Sequence, residues 1–336
     1  MIAAVPVELT DAALSAEVVE GLALVETQLA DATRSEEELL AEASTHLVEA
    51  GGKRFRATLV LLASHFGNPR DPRVVSAATA VELTHLATLY HDDVMDEAVI
   101  RRGHESANSR WTNTIAILTG DFLFARASQM LAALGHEAVG IQADTFARLV
   151  GGQIAETIGP RPGQDPLKHY LHVVKDKTAS LVATAGRFGA MYSDAPAEVV
   201  ARIEPACEAI GVAWQLSDDI LDVASDSDQS GKTPGTDLRE GVRSLPVLHA
   251  LAPSAPGVPV VGDARLRELL SQDGLTDDAE HAEALALLRA HPAMDAARAD
   301  LRRWSDAARA EIAGLPDVPA RRAFEIMCDF VVERTS

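Results

Sequence analysis

Apolar residues recur at intervals of three and four along most of the chain, the period of a helix with one buried face. Between Asp11 and Ala30 the series is Leu14, Val18, Leu22, Val25 and Leu29. A second helix is predicted after Ser35, read as an N-cap with Glu38 three residues on. Gly51 and Gly52 close it, and GGKRFR, residues 51 to 56, opens the next. Asp71 to His91, Trp111 to Leu134 and Glu137 to Ile158 read as long apolar helices, followed by the turn-rich stretch GPRPGQDP. Leu167 to Val174 is a short helix, and Lys177-Thr178 opens LVATAGRFGAMY. Glu198 to Val223 is one further long helix. SDSDQSGKTPGTDLREG, which contains Lys232, is polar and rich in Gly, Asp and Ser, so it is a loop. The proline-rich stretch Ala252 to Asp263 reads as a surface loop, and Leu266 to Leu270, Asp277 to Arg289, Met294 to Ala313 and Ala320 to Val332 are helical again. No strand alternation of any length and no solenoid repeat interrupts this pattern. The expected fold is all-α, a single domain over residues 1–336.

Composition narrows the function. Of 336 residues, 47% are hydrophobic, ample for a core, while aromatics are scarce and Ala and Leu plentiful. A net charge of −20 argues against a nucleic-acid partner, which needs a basic face. It also means that any anion must be met by metal ions or by a local basic cluster. The two cysteines, Cys207 and Cys328, have no metal-ligand spacing and read as core thiols. The first residues lack the basic start and apolar run of a signal peptide, and no uncharged apolar run is long enough to span a bilayer. The expectation is a cytoplasmic protein without a transmembrane segment.

The candidate chemistry lies in two places. Asp92 and Asp96 are four apart, so on a helix they stack one turn from each other, with Asp93 beside them and His85 on the same stripe. Carboxylates aimed into one space repel unless protons or cations separate them. Arg101 and Arg102 then supply fixed positive charge with a fork suited to phosphate. A single DDxxD is more often a solvated helix face. Here the same spacing recurs at Asp218, Asp219 and Asp222, with Gln215 at helical distance before it. Two such helices facing each other could hold several Mg²⁺ ions through oxygen ligands. In GGKRFR, Lys53 and Arg56 are cations at a helix N-terminus, the wrong sign for the helix dipole, so an anion is expected to compensate them.

With these motifs in this order, the chain from about Leu47 to the C-terminus resembles the trans-type isoprenyl (polyprenyl) diphosphate synthases. The resemblance implies antiparallel helices around a deep central cavity, with the N-terminal helices of residues 11–46 packing on the core, and a homodimer. It implies head-to-tail condensation of isopentenyl diphosphate with an allylic diphosphate, assisted by Mg²⁺, three ions per active site. Carried over, Asp92, Asp93 and Asp96 form the first metal-binding motif and Asp218, Asp219 and Asp222 the second. Lys53, Arg56, His85 and Arg102 resemble the isopentenyl diphosphate set. Arg101, Lys177, Thr178, Gln215 and Lys232 resemble the allylic set, with Lys177 and Lys232 stabilising the leaving diphosphate. One departure is Val242, where the family often has Lys; Arg243 stands next to it.

The resemblance also bears on product length. The fifth residue before the first motif is often aromatic in short-chain members, and here it is Ala87, followed by Thr88. Neither blocks a growing chain, so the floor is expected deeper, among Met130, Leu131 or Phe146, and the product to be long. The competing readings are a farnesyl or geranylgeranyl diphosphate synthase, a class I terpene cyclase, and a non-catalytic partner subunit. A cyclase needs no second diphosphate pocket, and a non-catalytic subunit should have eroded aspartate motifs. A transient membrane contact is expected only for product release.

Overall fold

The computed structural model describes residues 9–225, 234–253 and 260–335. Lys232 falls outside the described residues, as do residues 254–259 of the proline-rich stretch expected as a surface loop. The helices in order are α1 (Ala12–Ala32), α2 (Glu38–Glu49), α3 (Phe55–Ser64), α4 (Pro72–Met95), α5 (Ala107–Arg110), α6 (Asn113–Leu134), α7 (His136–Ile158), α8 (Pro166–Val173), α9 (Ser180–Tyr192) and α10 (Ala197–Ala224). Beyond them come Thr236–Glu240, Leu245–Leu251, Asp263–Leu270, Asp278–Arg289, Ala293–Ile312 and Pro319–Glu333. The all-α expectation holds.

Three local features differ from the sequence reading. Among the described residues there is one sheet, a hairpin of β1 (Ile100–Arg101) and β2 (His104–Glu105), too short to leave an alternation in sequence. Its turn has Arg102 at φ 53° and Gly103 at φ 77°, the positive pair that a tight two-residue hairpin turn requires. Ser35 is not an N-cap: its hydroxyl accepts from Glu37 N, and α2 begins later, after Glu37, without a side-chain cap. Between α8 and α9 the chain does not break but runs through a π-helical turn, Val174–Ala179, which contains Lys177 and Thr178.

The chain divides into two compact units. The first comprises residues 9–148, 180–207 and 311–326. Its centre is α3, apolar all round and buried from Ala57 to Ser64, as a helix without a polar face must be. α1 covers it with the five predicted residues Leu14, Val18, Leu22, Val25 and Leu29, all buried. α9 approaches so closely that a Cβ on Gly189 would lie 2.2 Å from the Val60 carbonyl oxygen. α6 has a length and composition that would allow it to cross a membrane, but Asp121 and Arg126 interrupt it and its buried residues pack on α4. The second unit comprises residues 149–179, 208–310 and 327–335. Leu216, Ile220 and Val223 of α10 form its core with Leu245, Leu266, Leu269, Leu288 and Leu301.

Candidate active site

In the first unit the aspartate motif closes α4. Asp96 is the C-cap, its N–H donating to the Asp92 carbonyl at 2.8 Å, so the two residues are one turn apart as the spacing requires. Asp92 is half-buried and Asp96 exposed. Asp93 is fully buried; Arg101 donates to its Oδ1 and lies 3.7 Å from Asp96, while Oδ2 has no hydrogen-bond partner. Burial raises the Asp93 pKa, an effect that the Arg101 guanidinium only partly offsets.

The hairpin sends its two arginines to different places. Arg101 serves the motif, whereas Arg102 donates through Nη1 to the carbonyls of Leu47, at 3.1 Å, and of Gly51. Those carbonyls end α2 and begin the glycine loop, an electronegative helix terminus suited to a cation. Arg56 at the start of α3 is sunk far enough for burial to lower its pKa, against the pull of Glu82 and Asp92, and its Nε has no partner. Lys53 is exposed on the loop before it. His85 is held neutral, its pKa pushed far down first by burial and then by Arg56, Arg102, Arg54 and Arg101. The charges of four arginines thus disfavour protonation of one imidazole, although their side chains are anchored on different partners. Glu82, buried and accepting from Ala57 N at 2.9 Å, is the nearby anion set into the protein itself.

Of the residues expected to bear on product length, Ala87 is buried, its carbonyl oxygen 3.0 Å from where a Cβ on Gly120 would stand. Thr88 is half-buried and its hydroxyl donates to the His85 carbonyl at 2.8 Å. Phe146 packs on Phe124 with ring centroids 4.1 Å apart. Leu131 is buried, but Met130 lines a surface hollow of about 340 Å³ with Gln28, Asp31 and Arg34, on the outside of the unit.

In the second unit the three aspartates of α10 have different surroundings. Asp218 is exposed and paired with Arg334 at 2.8 Å. That arginine also donates to Ser217 Oγ at 2.6 Å and lies over the Trp214 ring, 4.3 Å from its centroid. Asp219 is buried and accepts from the Tyr170 hydroxyl at 2.6 Å, from Leu245 N at 2.9 Å and from Gln215 Nε2 at 3.1 Å. Burial nevertheless pushes its pKa up to about 6. Asp222 accepts from the amides of Thr236 and Asp237 at 3.1 and 3.2 Å. Asp222 thus holds the start of Thr236–Glu240 and Asp219 the start of Leu245–Leu251. Gln215 also accepts, at 3.5 Å, from Thr178 of the π-turn, where Lys177 pairs with Glu156 of α7. Sequence reasoning missed Tyr170, Arg334, Glu26 and Arg54; only Arg54 carried a signal, as part of GGKRFR.

Among the described residues no three His, Cys, Asp or Glu side chains gather into a preformed metal cage. The carboxylates still suit Mg²⁺, which takes one or two carboxylates and keeps its other positions for water and phosphate oxygens. The buried, partnerless Oδ2 of Asp93 and the exposed carboxylates of Asp96 and Asp218 are oxygen ligands of that kind.

An all-α chain with two aspartate motifs and arginines beside the first of them defines a prenyltransferase of isoprenoid biosynthesis. A family model described as polyprenyl synthetase matches residues 37–288, and the chain belongs to that family. It is 49% identical over 329 residues to the nonaprenyl diphosphate synthase of Mycobacterium tuberculosis, covering 98% of this chain and 96% of the relative. Among solved structures it is similar to the geranylgeranyl pyrophosphate synthase of Corynebacterium glutamicum complexed with calcium and isoprenyl diphosphate, with TM-score 0.88, 42% identity, and 98% and 100% of the two chains covered. It is also similar to a decaprenyl diphosphate synthase of Rhodobacter capsulatus, with TM-score 0.84, 33% identity, and 96% and 99% covered.

Proposed function

We propose that the chain condenses isopentenyl diphosphate head-to-tail with an allylic diphosphate and repeats the step to a long all-trans polyprenyl diphosphate. The observation that carries the reading is the arginine pair of the β1–β2 hairpin, Arg101 on the first aspartate motif and Arg102 on the carbonyls of the glycine loop that bears Lys53, in a chain of net charge −20. Lys53, Arg56, His85 and Arg102 hold the isopentenyl diphosphate. Arg101, Lys177 and Lys232 take the allylic diphosphate, with Thr178 and Gln215 as neutral lone-pair neighbours for the allylic cation. Asp92, Asp93 and Asp96 of the first motif and Asp218, Asp219 and Asp222 of the second would hold Mg²⁺, three ions on this reading, and bound there it would supply positive charge to stabilise a departing diphosphate. The allylic C–O bond breaks, the isopentenyl double bond supplies the electrons of the new C–C bond, and the released proton passes to the departing pyrophosphate. Asp92, Asp96 and Asp218 are the ligands their surroundings favour. Asp219 and Asp222 contribute while anchoring backbone, and Asp93 through its open Oδ2.

The long product is supported by the 49% identity to a nonaprenyl synthase and by the small residues Ala87 and Thr88 before the first motif. The 42% identity to a geranylgeranyl pyrophosphate synthase supports the shorter alternative less strongly. The reading includes one catalytic domain, a cytoplasmic location and a homodimer, and Ile117, Leu118 and Val139 of α6 and α7 are exposed apolar side chains. The test is incubation of the purified protein with labelled isopentenyl diphosphate and each allylic starter, with and without Mg²⁺, followed by sizing of the product. A Mg²⁺-dependent product beyond the geranylgeranyl length is expected. Arrest at three or four isoprene units would overturn the long-chain reading, and turnover without metal would overturn the mechanism.

A further inference from the structure

Arg54 stands between Lys53 and Arg56 in the chain but points elsewhere. Its side chain is 1% exposed and forks onto Glu26 of α1, with Nε 2.6 Å from Oε1 and Nη2 3.1 Å from Oε2. Nη2 also donates to the Val48 carbonyl at the end of α2, at 3.1 Å, and Nη1 is buried without a partner. The backbone of Arg54 is left-handed, φ 46° and ψ 37°, a region that a residue with a Cβ enters only when its surroundings hold it there. It follows Gly51 at φ 77° and Gly52 at φ 156°, so the whole turn into α3 depends on outside support. At the same residue the carbonyl begins α3, accepting from both Thr58 N and Thr58 Oγ1 at 2.9 Å.

The turn touches the rest of the anion pocket. A Cβ on Gly52 would lie 3.0 Å from the Arg102 guanidinium carbon, and Arg102 itself donates to the Gly51 carbonyl. Moving the turn therefore moves Lys53, Arg56 and the acceptor of Arg102 together. A buried guanidinium needs a hydrogen-bonded counter-ion, and Glu26 is the one carboxylate that Arg54 grips with both oxygens.

We propose that Glu26 and Arg54 are positioning residues for the isopentenyl diphosphate: their clamp fixes the turn of residues 51–54 so that Lys53, Arg56 and Arg102 converge on one diphosphate. The inference rests on reading those three cations as the isopentenyl diphosphate pocket. It gives α1, which contributes no residue to either substrate set, a direct part in the affinity for one substrate. Arg54 acts through the backbone, without touching the substrate.

The test uses Glu26→Gln, which keeps the shape and removes the charge, and Arg54→Gly, which removes the guanidinium while accepting the left-handed backbone without strain. Binding of isopentenyl diphosphate is measured by calorimetry, and KM for each substrate by separate titration. Both variants are expected to raise the Kd and KM for isopentenyl diphosphate by about tenfold, roughly the effect of misplacing one charge-assisted contact. The KM for the allylic substrate should stay within about twofold, because nothing in the clamp touches that set, and kcat should change far less than KM. Unchanged isopentenyl diphosphate affinity in well-folded Arg54→Gly overturns the proposal, as does an equal rise in both Michaelis constants, the mark of a merely structural role. Glu26→Gln decides the matter if Arg54→Gly loses its helical signal. If the unaltered protein fails to bind isopentenyl diphosphate, the pocket assignment itself is wrong, an outcome distinct from variants that bind as well as the parent.

Discussion

Replacing Asp219 by Asn should flatten one pH dependence of stability. Burial holds the Asp219 carboxyl protonated up to about 6 in the folded chain, against an ordinary value of 3.8. At about 1.4 kcal/mol per pKa unit, ionising it within the fold costs about 3 kcal/mol relative to ionising it in the unfolded chain. Because the folded value is the higher one, this stability is fully present below about pH 4, is lost as pH rises through about 6, and is constant above. Asparagine cannot ionise, so the stability difference between parent and Asp219→Asn should fall by about 3 kcal/mol across that window. Urea unfolding followed by far-UV circular dichroism, in a chelator so that no metal binds the motif, measures it. Tyr170→Phe sharpens the test. The Tyr170 hydroxyl, itself kept protonated by burial and by the adjacent carboxylate, donates to Asp219 and lowers its pKa, so without it the fall should move to higher pH. Parallel curves for parent and Asp219→Asn would refute the argument, since they would mean that water or protein donors already compensate the charge.

Asp92→Ala and Asp218→Ala should each lower turnover by orders of magnitude with unchanged helical content; near-normal turnover of either, measured with labelled isopentenyl diphosphate, would sink the two-motif mechanism. Arg334→Ala frees the exposed Asp218 from a pair of the 0.2–1 kcal/mol class, so calorimetric Mn²⁺ affinity should rise by up to roughly fivefold, and no rise would show that Arg334 does not compete there. Ala87→Phe should shorten the product without abolishing condensation, at a stability cost of about 1–3 kcal/mol because Ala87 is fully buried, and an unchanged product by mass spectrometry would remove this position from the length-setting wall.

Most of the helices were legible because each buries a stripe at its own period, as the five buried residues of α1 show. The aspartate motifs and the basic GGKRFR stretch were equally visible, being runs of charge within or just before apolar helices. Their division of labour was not. Asp218 and Asp219 are adjacent and therefore about 100° apart on α10, so one meets solvent and the other Tyr170 and Leu245. Those partners are remote in sequence, and spacing alone cannot name them. Arg54 stood inside the visible GGKRFR stretch, but its part was illegible for the same reason: Glu26 lies in another helix, and a left-handed backbone at an arginine has no sequence signature. The β1–β2 hairpin fell below the length at which a period of two can be counted.

The π-turn of Val174–Ala179 makes this part of the gene intolerant of a change that helices elsewhere absorb. A π-turn holds one residue more than an α-turn, so deleting Val174, Lys175 or Asp176, ahead of Lys177, would let the helix close up as ordinary α. The shortened chain would gain better hydrogen bonds locally. It would also swing Lys177 and Thr178 by about 100° relative to α8, away from Glu156 and Gln215. Lys177 cannot drift back by sliding along α7, because the backbone there already meets Gly152, where a Cβ would stand 2.5 Å from Lys177 N. Deletion of one of those codons should therefore give a protein that is well folded, even easier to produce, and unable to grip an allylic diphosphate.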